Sequence, residues 1–122
     1  MRFLPTLLVI SLSSLSALAE ETVKNLRLGL IGLDTSHVIA FTSRFNDPHN
    51  PNHVPGATVI AAFKGGSPDI PSSISRVPGY TKTLTEEYGV KIYNDIATMC
   101  HDVDAVLLTS LDGRPHLEQV KP

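Results

Sequence analysis

The stretch Leu26-Arg27-Leu28-Gly29-Leu30-Ile31-Gly32-Leu33-Asp34-Thr35-Ser36-His37 decides the fold. Its first six residues form a short apolar run that ends on a glycine, the pattern of a buried parallel strand. Asp34, Thr35 and Ser36 are helix-capping types, and Val38, Phe41 and Phe45 then recur at helical spacing. The sequence therefore predicts a strand over 26–31 that feeds directly into a helix over 37–45. Three more apolar runs follow, at 57–63, 90–93 and 103–108. Between them lie a loop at 46–56 rich in proline and asparagine, a glycine break at 64–69, a helical stretch over 83–88 stopped by Gly89, and a short helix at 95–100. The turn 109–113 leads into a helix start at Pro115. Strands alternating with helices in this order predict the α/β class, with a parallel, helix-covered sheet that is a partial doubly wound one, incomplete at the C-terminus.

Upstream of that stretch, Met1-Arg2 opens a short positive region, Phe3 to Ser16 is mostly apolar, and Ala17-Leu18-Ala19 ends it with small residues where a signal peptidase reads. Residues 1–19 are expected to be a removable export signal and the product to be periplasmic or secreted. A membrane anchor is the poorer reading, because the stretch holds Pro5 and five hydroxyl residues and falls short of the roughly 20 residues a span needs. Of 122 residues, removal leaves 103, enough for one small domain, expected over 20–122. Composition is globular, at 42% hydrophobic and 18% charged. Lysine and arginine are scattered singly in a chain of net charge −2, which argues against nucleic acid as a partner, and no membrane is expected once the signal is gone. Cys100 has no second cysteine to pair with, so the core must hold the fold.

Ligands of doubly wound sheets sit outside the carboxyl ends of the strands, where loops and helix N-termini supply free N–H groups. The loop Gly32 to His37 occupies that place. A full dinucleotide fingerprint would read Gly-x-Gly-x-x-Gly there, but only Gly32 is present; Asp34 stands at the second glycine position and His37 at the third. Asp34 has two open readings, a carboxylate opposing an incoming pyrophosphate or a cap for the following helix. Beyond the second strand, where an acidic residue would meet the ribose hydroxyls, the chain has Phe63-Lys64-Gly65-Gly66-Ser67. Lys64 and Ser67 would suit a ribose 2′-phosphate; the plainer reading is a solvated lysine in a glycine turn. His49 and His53 lie in the proline-rich loop, so their spacing sets no shared face for a metal. Asp34, Ser36 and His37 are too close in sequence to converge as a nucleophile triad, and Cys100 reads as packing.

Taken together, the 28–37 stretch, Gly65-Gly66-Ser67-Pro68-Asp69-Ile70, Tyr88-Gly89-Val90, Val103 to Leu108, and Asp112-Gly113-Arg114-Pro115-His116 resemble the N-terminal Rossmann domain of the Gfo/Idh/MocA oxidoreductases, in particular an exported branch with Asp-Thr-Ser-His after the first glycine. The resemblance implies binding of NAD or NADP, a sugar-like small molecule as substrate of the full-length parent, and hydride transfer to or from it. It matches Gly32 to the first fingerprint glycine and His116 to the histidine that commonly follows the fourth strand. The cofactor-binding candidates are thus Gly32, Asp34, Thr35, Ser36, His37, Lys64, Ser67 and His116. The departures are Asp34, His37 and Lys64.

The family's catalytic lysine belongs to a Glu-Lys-Pro motif that follows a further helix and strand. Lys121-Pro122 comes too soon after the fourth run and is preceded by Val120. No catalytic residue is therefore expected in this chain, which reads as a fragment or truncated reading frame whose substrate domain lies elsewhere. Two rival expectations remain, an exported non-catalytic binding module with a decayed nucleotide site, and a non-functional gene fragment.

Overall fold

The computed structural model describes residues 24–122; the expected export signal at 1–19 lies outside the described residues. Among the described residues nine elements follow in the order β1 (Leu26–Ile31), α1 (His37–Asn46), β2 (Ala57–Phe63), α2 (Pro71–Ile74), α3 (Val77–Tyr88), β3 (Lys91–Tyr93), α4 (Ile96–Asp102), β4 (Ala105–Leu108) and α5 (His116–Gln119). The class is α/β. All four strands are parallel, in the spatial order β3-β2-β1-β4, as in a partial Rossmann-like sheet.

Chain handedness distributes the helices. The crossovers β1-α1-β2 and β2-α3-β3 step the same way along the sheet, so right-handedness puts α1 and α3 on one face, where they touch each other. The return from β3 to β4 runs the opposite way, and α4 packs against β2, β1 and β3 on the other face. Each face has its own core. Leu28, Leu30, Leu33, Val38, Val59, Leu84 and Val90 are buried together on the α1/α3 side. Ile31, Ala61, Tyr93 and Met99 are buried on the α4 side. In β1 the alternation Leu28, Leu30 against Gly29, Ile31 feeds these two cores in turn. In β2 the register jumps at Leu28/Gly29, where Leu28 faces Val59 but Gly29 faces Ala61. Ile60 is the extra residue of this bulge, which explains why Val59 and Ala62, three apart, share one core while Ala61 enters the other.

The expected strands are present with small shifts, but α3 starts six residues before the expected 83 and α2 was not expected at all. Val77-Pro78-Gly79 looks like a breaker, yet proline within the first helical turn loses no hydrogen bond and presets φ. Gly89 closes α3 in the left-handed conformation, φ +66°.

Candidate functional site

Between β1 and β4 the winding reverses, and the two strands leave the sheet side by side with their turns in contact. Gly32 is the hinge of that contact. Its φ is +89°, and a β-carbon there would lie 2.2 Å from Ser110 Oγ and 2.6 Å from Ser110 Cα, so any side chain meets backbone. Gly65 approaches from the β2–α2 turn, where a β-carbon would be 3.2 Å from Gly32 Cα. The three turns are also hydrogen-bonded. Gly32 N donates to Phe63 O at 3.0 Å and Leu33 N to Lys64 O at 2.7 Å. Thr109 Oγ1 donates to Gly32 O at 2.8 Å, and Thr35 Oγ1 to Thr109 O at 3.1 Å.

Asp34 is the most deeply placed charged side chain of this edge, with 1% of its surface exposed. Its Oδ2 accepts from Ser73 Oγ at 2.6 Å and its Oδ1 from Leu111 N at 3.0 Å. Ser73 Oγ in turn accepts from Ser67 N at 2.8 Å. Asp34 therefore does not cap α1. It turns inward and ties α2 and the β4–α5 turn to the end of β1. The helix N-cap is Ser36, which makes no side-chain capping bond, and the first turn of α1 carries no acidic residue. Its leading amides have no intrahelical acceptors. Ser36 and His37 are exposed beside them, the His37 ring stacked on Phe41 at 5.7 Å between centroids.

A cleft of about 810 Å³ opens over the carboxyl ends of β2, β3 and β4. Among the expected binding residues Asp34, Lys64 and Ser67 line it, whereas Gly32, Thr35, Ser36, His37 and His116 do not. The Ser67 hydroxyl is already engaged, donating to Asp112 Oδ2 at 2.6 Å. His116 is half-buried, with Nε2 3.0 Å from Ser110 O, which braces the turn after β4. Lys64 is exposed and makes no ion pair among the described residues.

Sequence reading missed the groups that organise this cleft. Asp112, buried at 9% exposure, accepts Arg114 N on Oδ1 at 3.0 Å and Arg114 Nε on both oxygens, at 3.0 and 2.9 Å. The Arg114 guanidinium, followed by the Ser67 hydroxyl, holds the Asp112 carboxyl well below the usual carboxylate range. Arg114 Nη2 also reaches Asp69, at 2.9 Å from Oδ1 and 2.8 Å from Oδ2. One guanidinium thus bridges the β2–α2 and β4–α5 turns. Gln119 adds a further tie, accepting Ser110 Oγ on Oε1 at 2.9 Å. The only advance signal was the pairing of Asp and Arg around Gly113, which read as a turn.

His49 and His53 stand apart from the cleft; His53 Nδ1 lies 2.9 Å from Arg44 O and steadies the loop after α1. No group of three metal-ligating side chains occurs among the described residues, and none of the described helices is long and apolar enough to cross a membrane. No family model, curated protein or solved structure matches this chain.

Proposed function

We propose that this chain is the nucleotide-binding portion of an NAD(P)-dependent sugar or polyol oxidoreductase of the Gfo/Idh/MocA type, exported after loss of residues 1–19. The observation that supports it most is topological. The parallel order β3-β2-β1-β4 reverses between β1 and β4, and ligands of open α/β sheets collect at such a reversal, outside the carboxyl ends of the strands. There this chain places the positive-φ turn at Gly32, the uncapped start of α1 and the cleft.

The residues suit the phosphate part of a dinucleotide. The start of α1 carries the positive end of the helix dipole with no carboxylate in its first turn, and of its leading amides Val38 N donates to Thr35 O at 3.3 Å. Asp34 holds its oxygens on Ser73 and Leu111, away from that helix end. Lys64, on the cleft wall, makes no ion pair among the described residues. When bound, the nicotinamide would supply the hydride chemistry; this chain's residues bind and orient, and none is assigned a catalytic role.

A second reading, an exported binding module whose nucleotide site has decayed, is favoured by one contact: the Asp34–Leu111 bond spans the turns of β1 and β4 and draws them together. Calorimetric titration of the purified chain with NAD and with NADP separates the two. Saturable binding of at least one dinucleotide, weakened by Lys64→Ala or by Ser36→Pro at the helix start, is the result expected. Absence of binding by both overturns the first reading and leaves the second.

A further inference from the structure

A second hollow lies away from the cleft, along α1. Ser36, Ile39, Ala40, Ser43 and Arg44 line it at the spacing i, i+3, i+4, i+7 and i+8, so they form one stripe of the helix and its N-cap, about 12 Å long at 1.5 Å per residue. Helix α3 packs beside α1 and brings Tyr80 and Tyr88 to that stripe. Ala40 and Ser43 are small, and between them and the two tyrosine rings a groove of about 610 Å³ stays open. The loop 50–52 closes its far end and is tied to α1: Asn50 Nδ2 donates to Ser43 Oγ at 2.7 Å, and Asn52 N to Asn50 Oδ1 at 2.8 Å. The groove is therefore pre-formed, with aliphatic and aromatic walls and a few convergent polar groups, the make-up of a small-molecule site.

Its charge is the reverse of the cleft's. Asp34, Asp69, Asp112 and Glu118 line the cleft, whereas Arg44 is the one charged residue lining the groove. Arg44 is exposed, and its side chain makes no ion pair among the described residues. The following loop uses its carbonyl instead, which accepts from Val54 N at 2.8 Å and lies 2.9 Å from His53 Nδ1. The planar guanidinium fork is thus left open, and such a fork matches a carboxylate bidentately. Tyr80 and Tyr88 rest partly buried against the α1-side core. Their hydroxyls bond to no described residue, and no buried polar side-chain atom among the described residues lacks a partner, so both hydroxyls reach solvent. From this arrangement we infer that the α1–α3 groove binds a small organic carboxylate with a ring-bearing apolar body, its carboxylate on Arg44 and its ring between Ala40 and the two tyrosines. The site is separate from the cleft and does not rest on the function proposed above.

Phenylacetate is the probe and phenylacetamide its uncharged control, each titrated into the isotope-labelled chain and followed by heteronuclear NMR. Phenylacetate should shift signals of residues 36–44, Tyr80 and Tyr88 saturably, and phenylacetamide should bind about tenfold more weakly, the effect of exchanging a charge-assisted contact for a neutral one. Arg44→Gln should lower phenylacetate to the affinity of the amide with no change in melting temperature, because the side chain is exposed and holds no partner in the fold. Ala40→Leu, made at an exposed helix position, fills the groove and should abolish binding of both probes. The amide bound as tightly as the carboxylate, an affinity unmoved by Arg44→Gln, shifts centred on Lys64 and Arg114 in the cleft, or no saturable shift at all each overturns the inference. None of these results bears on the dinucleotide titration, so the two readings fail separately.

Discussion

Replacing Asp34 by alanine should cost this fold a large share of its stability. The carboxylate is 1% exposed and takes two donors, the Ser73 hydroxyl at 2.6 Å and the Leu111 amide at 3.0 Å. Ser73 is wholly buried; its oxygen would keep the Ser67 amide, but its O–H would lose its acceptor, at about 1–3 kcal/mol. The Leu111 amide is only partly buried, and water can reach it, so its loss adds on the order of 1 kcal/mol. The sum, about 2–4 kcal/mol, is to be set against the roughly 5–15 kcal/mol that holds a domain of this size. The melting temperature should fall by on the order of 10–25 °C. Asp34→Asn keeps one acceptor and should lose about half as much, because its NH₂ group then faces a donor. Urea unfolding followed by far-UV circular dichroism measures both, with the dependence on urea unchanged if the unfolded state is unaffected. An Asp34→Ala chain within about 0.5 kcal/mol of wild type would refute the argument that this carboxylate ties the three turns together.

Gly32→Ala should unfold the chain or leave it soluble only in traces, since the new β-carbon would overlap Ser110 backbone atoms at 2.6 Å as well as strain a φ of +89°; recovery of a natively melting protein would contradict it. Stability should also fall in acid. Arg27, through its side chain and then its backbone N–H, and Lys24 hold the Asp104 carboxyl well below the usual range. A carboxyl depressed in the folded state contributes stability above its unfolded pKa, and that contribution is lost as pH falls below about 4 toward the folded value. Urea midpoints between pH 6 and pH 2 should therefore decline, and Asp104→Asn should flatten the decline; a variant profile as steep as the wild type would assign the acid sensitivity to other groups.

The sheet was legible because the central strands β1 and β2 are largely apolar runs bounded by glycine, proline or polar turns, as burial on both faces demands, and the edge strands β3 and β4 repeat the pattern in shorter, more exposed form. What escaped was the helical segment from 71 to 82. Pro71, Pro78 and Gly79 are poor helix formers taken singly, but both prolines stand in the first turn of a helix, where their missing N–H is not needed. The reward for α3 comes from packing: Tyr80, Leu84 and Tyr88, spaced by four, place one face against the α1 side of the sheet, with Leu84 fully buried. No local propensity reports a partner helix more than thirty positions away.

The site was less legible than the sheet, for a related reason. Sequence reading judges a side chain by what its own loop faces, and so Ser67 is matched to a ribose 2′-phosphate and Asp34 either to opposing a pyrophosphate or to capping α1. In the folded chain Ser67 spends its hydroxyl on Asp112, 45 positions on, and Asp34 spends its oxygens on Ser73 and Leu111, 39 and 77 positions on. These bonds convert three separate turns into one surface. They also leave Lys64 exposed on the cleft wall, without an ion pair among the described residues.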